Sequence, residues 1–321
     1  MNKISLVLKY FQKENQLTTK NRDYQRTIST LFAWLTDSDK VTNDKTTKFF
    51  PHKDTKAIII AKQNGRIAGL EEVGYLLKKY TKLVFNPKIK DGSEISNKDT
   101  IAEISGKAHD ILAFERTILN ILQRMSGIAT ATNNLITLIN LQFKTHNSQP
   151  FIAATRKTPW MQIDKKAVAM GGGLTHRLNL SDGILVKDNH LIFVSIEKAL
   201  RILTDKYKNE LIEVEVTEAK QAYKTISTFN KLNSPNNLAL MFDNFTPQIA
   251  KQTLTNLRKE FDLSAIIFEA SGGIDKNNIL LWSKTGVDIL SLGSLTHSSK
   301  ATNLSLEFIL LKEFGQKIIS F

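Results

Sequence analysis

The chain has 321 residues, 41 % of them hydrophobic and 23 % charged, with 44 Lys and Arg against 31 Asp and Glu for a formal net charge of +13. That supplies enough apolar side chain to bury a large core, excludes the disordered class, and allows one or two domains. There is no cysteine, so disulfides, thiolate metal sites and cysteine nucleophiles are excluded and a reducing cytoplasm is the expected compartment; no window reaches the roughly 18 apolar residues of a membrane span.

Residues 1–50 are polar and rich in Thr, Lys and Asp, with a helix-like apolar stretch around 28–35. Lys9 interrupts the apolar start and no small-residue cleavage site follows, so it is not read as a secretion leader. From Thr55 the pattern sharpens. Ala57-Ile-Ile-Ile-Ala reads as a strand, Asn64-Gly65 as a turn and residues 70–80 as a short helix. Lys82-Leu-Val-Phe and Thr100-Ile-Ala-Glu-Ile then flank a turn-prone segment at 90–93, which together predict an α+β first domain. Residues 108–140 place Ile111, Leu112, Ile118, Leu119, Leu122, Met125, Ile128 and Ala129 at helical spacing, as one long helix or two abutting ones punctuated by Gly127.

Beyond residue 150 short apolar runs recur at 151–154, 184–186, 211–216, 238–242, 265–268 and 287–290, separated by helix-length segments at 196–203, 218–229, 247–261 and 276–285. Strand and helix alternating at this interval are the sequence form of parallel βα units. The fold class is therefore α/β: an incomplete parallel α/β barrel over residues 126–300, preceded by an N-terminal α+β domain over 1–125, with the tail 301–321 packing back on that domain. A doubly wound open sheet is the structural rival.

In a parallel barrel the loops after the strands share one face, where functional groups gather. Those positions hold Thr155-Arg-Lys-Thr158, Lys187-Asp-Asn-His190, Glu213 and Glu215, Asp243-Asn244, Glu269-Ala-Ser-Gly-Gly273 and Ser291-Leu-Gly-Ser294. Ser271, Gly272, Gly273, Gly293 and Ser294 lack bulk where backbone N–H groups could approach a phosphate; plain tight turns would look the same. Arg156, Lys157, His176, Arg177 and Lys187 form a basic set around Gly171-Gly-Gly173, suited to carboxylate or phosphate oxygens. Glu213 and Glu215, two apart on one strand, share a face. With Asp243 they could hold Mg²⁺ or stabilise a cationic sugar-like transition state, or they could be salt-bridged to Lys187 or Arg156. The six histidines show no metalloprotease spacing, and His52, His109 and His146 read as surface or core residues. No GxGxxG fingerprint, Walker A sequence or G-x-S-x-G elbow is present, so hydride transfer, P-loop ATP hydrolysis and esterase chemistry fall away.

In order, Glu115-Arg-Thr-Ile-Leu-Asn-Ile-Leu-Gln-Arg-Met-Ser-Gly-Ile-Ala-Thr130, Thr155-Arg-Lys-Thr158, Gly171-Gly-Gly-Leu-Thr-His-Arg177, Lys187-Asp-Asn-His190, Glu213-Val-Glu-Val216, Asp243-Asn244, Glu269-Ala-Ser-Gly-Gly-Ile274 and Leu292-Gly-Ser-Leu-Thr-His297 resemble the quinolinate phosphoribosyltransferases. Eight co-linear motifs are far more specific than any one of them, and a looser likeness begins near Ala57. The resemblance implies a type II phosphoribosyltransferase fold and the transfer of phosphoribosyl from 5-phosphoribosyl diphosphate to quinolinate. Decarboxylation, Mg²⁺ and a place in de novo NAD synthesis come with that reaction. It implies that Arg116, Arg156, His176, Arg177 and Lys187 bind the quinolinate carboxylates, Arg116 reaching in from the partner of a homodimer. By the same resemblance Lys157, Glu215 and Asp243 face the phosphoribosyl diphosphate and act in catalysis, Glu215 and Asp243 serving the metal directly or through water or substrate. Ser271, Gly272, Gly273, Gly293, Ser294 and His297 would hold the 5-phosphate.

The chain departs from the family pattern in four places. Pro159-Trp160-Met161 shortens the loop after Thr158, Thr175 replaces a common Asn, and Ser234-Pro-Asn-Asn237 lengthens the separation of Glu215 from Asp243. The first 50 residues also lack the family's opening Gly-Asp motif. These changes bear on substrate preference more than on reaction class. The rival readings are a nicotinate phosphoribosyltransferase or another type II relative, and a basic nucleic-acid-binding protein using the +13 charge. Against the last, no aromatic-rich basic ribbon or zinc finger occurs, and neither nucleic acid nor membrane is an expected partner.

Overall fold

The computed structural model describes residues 2–47, 53–143, 149–312 and 315–318; His52 and His146 lie outside the described residues. In chain order come α1 (Lys3–Phe11), α2 (Arg22–Ser38), β1 (Asp54–Ala61), β2 (Gly65–Arg66), α3 (Leu70–Tyr80), β3 (Val84–Pro87), β4 (Glu94–Ile95), β5 (Thr100–Lys107) and α4 (Ala108–Asn140). There follow β6 (Phe151–Ala154), α5 (Gln162–Met170), β7 (Ile184–Val186), α6 (Asp188–Leu191), α7 (Ile196–Lys206), β8 (Leu211–Val216), α8 (Ala219–Leu232) and β9 (Asn237–Asp243). The chain continues through α9 (Pro247–Glu260), β10 (Ile266–Ser271), α10 (Ile279–Trp282), β11 (Ile289–Leu292), α11 (Ser294–His297), β12 (Leu304–Lys312) and β13 (Gly315–Ile318).

Two compact units form, each drawn from several stretches of chain. One comprises Met1–Lys13, Asn134–Thr158 and Gly173–His297, the other Glu14–Asn133, Pro159–Gly172 and Ser298–Phe321. A single cut near residue 125 thus simplifies the division: the N-terminal helix α1 groups with the parallel sheet, and α5 with the other unit.

The first unit is built on a six-stranded sheet in the order β6-β11-β10-β9-β8-β7, parallel throughout, with β6 and β7 as its edges. It is an open, incomplete α/β barrel. Its strands are short and apolar because both faces are covered; all six residues of β8 are buried. The helices between strands present apolar residues at three- and four-residue spacing, as in Ala250, Thr253, Leu254 and Leu257 of α9, which Thr246 caps and Pro247 opens.

Strand register stacks the inward side chains in layers. Ala239 and Ile267 flank the lowest, beside Glu213; Glu215, Met241, Glu269 and Ile289 form the next; Asp243, Ser271, Ser291 and Ala153 form the last, at the strands' carboxyl ends. Leu6, Val7 and Phe11 of α1 join the lowest layer in one cluster with Leu174, Leu211, Ala239 and Ile267, so α1 closes the end from which the strands start.

The second unit carries an antiparallel sheet in the order β13-β12-β1-β5-β3 and the small β2–β4 pair. The tail enters as β12, paired along β1 from Lys56↔Ile309 to Ala61↔Leu304. Residues 108–140 are one continuous helix. Within this unit the carbonyl of Lys300 lies where a Cβ on Gly127 would stand, 2.1 Å away, so Gly127 marks a close approach and no helix break.

The two longer helices without a counterpart in the sequence reading are α1 and α5; the one-turn helices α6 and α11 also lack one. Asn2 caps α1, which Lys9 masks. In α5 the charged Asp164, Lys165 and Lys166 are all buried, inverting the apolar signal on which such a reading relies. Conversely, the helix expected over 276–285 contracts to the single turn of α10, since Asp275 turns the preceding chain by accepting from the Asn277 and Asn278 N–H groups.

Candidate functional site

A cleft of about 370 Å³ opens among the layers at the carboxyl ends of the strands. It is lined by Arg156, Lys157, His176, Arg177, Lys187, Glu215, Asp243 and Ser271, all named from the sequence, and also by Thr155, Glu269, Ser291, Leu185 and Met241.

Two of the cations are placed by bonds of their own backbone. Lys157 follows β6, where the Thr155 hydroxyl accepts its N–H at 3.1 Å and Thr296 on α11 donates its hydroxyl to the Lys157 carbonyl at 2.8 Å. Lys187 stands at the N-terminus of α6, fixed by its N–H donating to His190 Nδ1 at 2.9 Å and by the His190 N–H returning to its carbonyl. Lys187 Nζ lies 3.3 Å from Glu215 Oε2, with the lysine side chain 44 % exposed. The ion-pair alternative for Glu215 is therefore real, and it is compatible with a place in the cleft. Arg177 loses basicity through burial and through the neighbouring charge of Arg156.

Among the acids, burial is the largest influence on Glu215 and raises its pKa; Lys187 opposes this, while Asp243 adds to it. Asp243 is raised by burial and lowered by Lys157 and Lys187, with a net upward shift. These two carboxylates and the interspersed cations form a mixed-charge wall. Mg²⁺ takes one or two protein carboxylates together with substrate phosphates, and Glu215 and Asp243 on adjacent strands of one cleft fit that donor set.

Beneath the cleft, Glu213 and Glu269 face a single imidazole: His176 Nε2 is 3.4 Å from Glu213 Oε2 and 3.2 Å from Glu269 Oε2. Among the described residues, these three side chains are the one group of three with metal-ligating atoms in mutual reach, all buried. The Arg177 N–H donates to His176 Nδ1 at 2.7 Å, so the ring carries its proton at Nε2. Burial opposes a second proton and the carboxylates favour one, the latter prevailing to about 9. In the same cluster, burial and the Glu269 charge push Glu213 up to about 7.

The phosphate-binding candidates lie at the same end of the sheet. Gly272 has φ +87°, and a Cβ there would sit 2.3 Å from Asn244 Oδ1; Gly273 is exposed, its carbonyl accepting from Asn278 Nδ2. Gly293 approaches Lys157 and His297, at 3.3 Å from Lys157 Cδ and 3.1 Å from His297 Nε2 for a built Cβ. Ser294 opens α11. Arg116 is exposed on α4, in the unit that does not carry the cleft.

The departures from the family pattern acquire local explanations. Thr175 is buried, its hydroxyl donating to the Phe11 carbonyl at 3.0 Å and accepting the Lys13 N–H at 2.9 Å. Trp160 lies under the Arg124 guanidinium, which forks onto Asp164 at 2.8 and 2.7 Å. The stretch from Ser234 to Asn237 leaves β8 and β9 in register, Glu215 opposite Met241.

Glu269 and Ser291 received no role from the sequence. A signal was present: Glu269 and Ser271 stand two apart on their strand, as do Glu213 and Glu215, and two-residue spacing puts both on the interior face.

Comparison with known proteins agrees with this geometry. Residues 128–307 match the family model for the quinolinate phosphoribosyl transferase C-terminal domain, and residues 41–126 that for the N-terminal domain. A probable nicotinate-nucleotide pyrophosphorylase [carboxylating] of Archaeoglobus fulgidus is 36% identical over 262 residues, 81% of this chain and 96% of the relative. One from Methanothermobacter thermautotrophicus is 34% identical over 84% of this chain and 94% of the relative. The structure of the nicotinate-nucleotide pyrophosphorylase from Francisella tularensis superposes with a TM-score of 0.75 at 30% identity, covering 88% of this chain and 96% of that one. With both domain models matched in order and these relatives aligned over nearly their full length, the chain belongs to the quinolinate phosphoribosyl transferase family.

Proposed function

We propose that the chain transfers phosphoribosyl from 5-phosphoribosyl diphosphate to quinolinate, releasing diphosphate and carbon dioxide and giving nicotinate mononucleotide for NAD synthesis. The observation that carries this reading is the convergence of Arg156, Lys157, Arg177 and Lys187 with Glu215 and Asp243 on one cleft. A dicarboxylate and a diphosphate ester bring several negative charges, while the reaction passes through positive charge at the sugar. A site for both needs cations and acids side by side.

Arg156, Arg177 and Lys187 grip the quinolinate carboxylates, with His176 in the floor and Arg116 supplied by the partner of a homodimer. Lys157 faces the diphosphate; Ser271, Gly272, Gly273, Gly293, Ser294 and His297 surround the 5-phosphate. The anomeric C–O bond breaks with its electron pair leaving on diphosphate, and Glu215 and Asp243 stabilise the cationic centre that remains. Mg²⁺, held by Glu215 and Asp243 directly or through water and substrate, would supply charge neutralisation of the leaving group. The pyridine nitrogen donates its lone pair to the anomeric carbon, and the ring becomes cationic. The adjacent carboxylate then departs as carbon dioxide, its bonding pair remaining on the ring carbon, which takes up a proton. Decarboxylation therefore follows glycosylation. The lack of cysteine favours a cytoplasmic setting; among the described residues no helix is long and apolar enough to cross a membrane.

Incubating the purified chain with quinolinate, 5-phosphoribosyl diphosphate and Mg²⁺ should yield nicotinate mononucleotide and carbon dioxide in equal amounts by mass analysis. Turnover of nicotinate without carbon dioxide would replace this reading by the monocarboxylate transferase.

A further inference from the structure

We propose that Glu269, assisted by Glu213, is a positioning residue that fixes the His176 ring from beneath and through it the left-handed turn that delivers Arg177 to the cleft; the inference rests on the function proposed above.

His176 has φ +53°, a left-handed conformation unfavourable for a non-glycine residue unless its surroundings impose it. The surroundings are visible. The His176 N–H donates to the Phe11 carbonyl at 3.0 Å, and the ring meets Phe11 edge-on at 4.9 Å between centroids. Nδ1 accepts the Arg177 N–H at 2.7 Å. That bond couples ring to backbone: the imidazole plane cannot turn without releasing the peptide that aims Arg177. A second cavity of about 50 Å³, lined by Phe11, Lys13, Asp182 and Glu213, lies against the same two residues. His176 and Arg177 thus line both the cleft and this smaller pocket, while Phe11 packs against the His176 ring.

What remains to hold the ring is Nε2, between two carboxylates on rigid strands. Glu269 is 0 % and Glu213 2 % exposed. Around the Glu269 carboxylate stand His176 Nε2 at 3.2 Å, the Ser291 side chain and Glu213, with His176 its one cationic neighbour. Burying a carboxylate beside a second one costs stability, and an apolar side chain would pack there with less desolvation. Its effect is directional: two fixed carboxylates, 3.4 and 3.2 Å from Nε2, hold that edge of the ring between them. Both ring nitrogens are then committed within the protein, which makes His176 a strut for Arg177 more than a donor to substrate.

The test compares Glu269→Leu and Glu269→Gln with the unaltered full-length chain. Glu269→Leu should raise the KM for quinolinate at least about tenfold, leave the KM for 5-phosphoribosyl diphosphate within about twofold, and keep or raise Tm. Glu269→Gln, which keeps the shape and places an amide oxygen beside Nε2, should restore the quinolinate KM to within about threefold. In a His176→Phe background the Glu269→Leu effect should vanish, because the carboxylate acts only through the ring. Parallel rises in both KM values, an unchanged quinolinate KM, or full additivity with His176→Phe overturns the proposal. Should Glu269→Leu not fold, ¹⁵N NMR of the unaltered chain decides: Nδ1 unprotonated supports the strut, and a proton on Nδ1 overturns it. Absence of nicotinate mononucleotide formation by the unaltered chain would sink the proposed function, while the NMR result would still judge the strut.

Discussion

At the scale of single residues, the cleft's charges differ in how far their loss should disturb the fold. Lys187 is 44 % exposed and its ion pair with Glu215 spans 3.3 Å, so the pair itself adds little to stability. Lys187→Ala should raise the quinolinate KM about 10- to 100-fold, the loss of one charge-assisted hydrogen bond, while Tm moves by less than about 2 °C. A large fall in Tm would instead mark a structural ion pair. Glu215→Gln keeps the shape and removes the charge opposite the cationic centre. Here kcat should fall about 100-fold with both KM values within about threefold, because the carboxylate acts on the transition state. The raised pKa of Glu215 and Asp243 has a sign for the pH profile as well. If both must be ionised, the acid limb of kcat lies above the ordinary carboxylate range, and Glu215→Gln should move it.

Elements set where those residues point, and two element-level contacts make separate predictions. Thr296 on α11 donates to the Lys157 carbonyl at 2.8 Å, tying the loop after β6 to the loop after β11. Thr296→Val, keeping shape and losing the hydroxyl, should weaken 5-phosphoribosyl diphosphate binding about three- to tenfold, about 1 kcal/mol for one hydrogen bond, and Thr296→Ser should restore it in a titration. In the other unit, Glu72 on α3 is buried and accepts from the Tyr24 hydroxyl of α2 at 2.7 Å, with its second oxygen unpartnered. Burial, aided by the Asp91 charge, pushes its pKa to about 7. The folded state therefore binds a proton that the unfolded state has released by about pH 4.5. Stability falls as pH rises between those values, by up to about 3 kcal/mol, and levels off above 7. Glu72→Gln should flatten that limb and raise Tm at pH 8. The elements themselves were legible to different degrees, for a physical reason. Residues 151–154 and 184–186 stand out as unbroken apolar runs and 211–216 as one broken only by Glu213 and Glu215, because strands covered on both faces bury mostly apolar side chains, and α4 stands out because its spacing is regular. In α5 the signal fails, since Asp164 is fully buried beneath the Arg124 fork, a partner from a distant stretch. The cleft's exposed cations could be read from strand ends; Glu269 could not be given a purpose until the fold brought His176 to it.

For the whole molecule, the excess of 13 positive charges acts through the field it casts, steering anionic substrates toward a cleft already lined with Arg156, Lys157, Arg177 and Lys187. The same field is screened within about 10 Å at 0.1 M salt, so kcat/KM should fall with ionic strength while kcat holds. The proposed homodimer places a sharper demand on the assembly. Arg116 lies exposed on α4, in the unit that does not carry the cleft; if the partner supplies it, each complete site draws residues from two chains. Arg116→Ala and Lys187→Ala would each be impaired alone, because every site in either homodimer lacks one cation. A mixed dimer differs. One of its sites lacks both cations and the other has both intact, so random reassociation of equal amounts should restore about one quarter of the sites. Activity measured at low quinolinate after the two impaired variants are unfolded, mixed and refolded should approach that fraction, and each variant refolded alone should stay impaired. If the mixture shows no more than the sum of its parts, Arg116 serves its own chain or none.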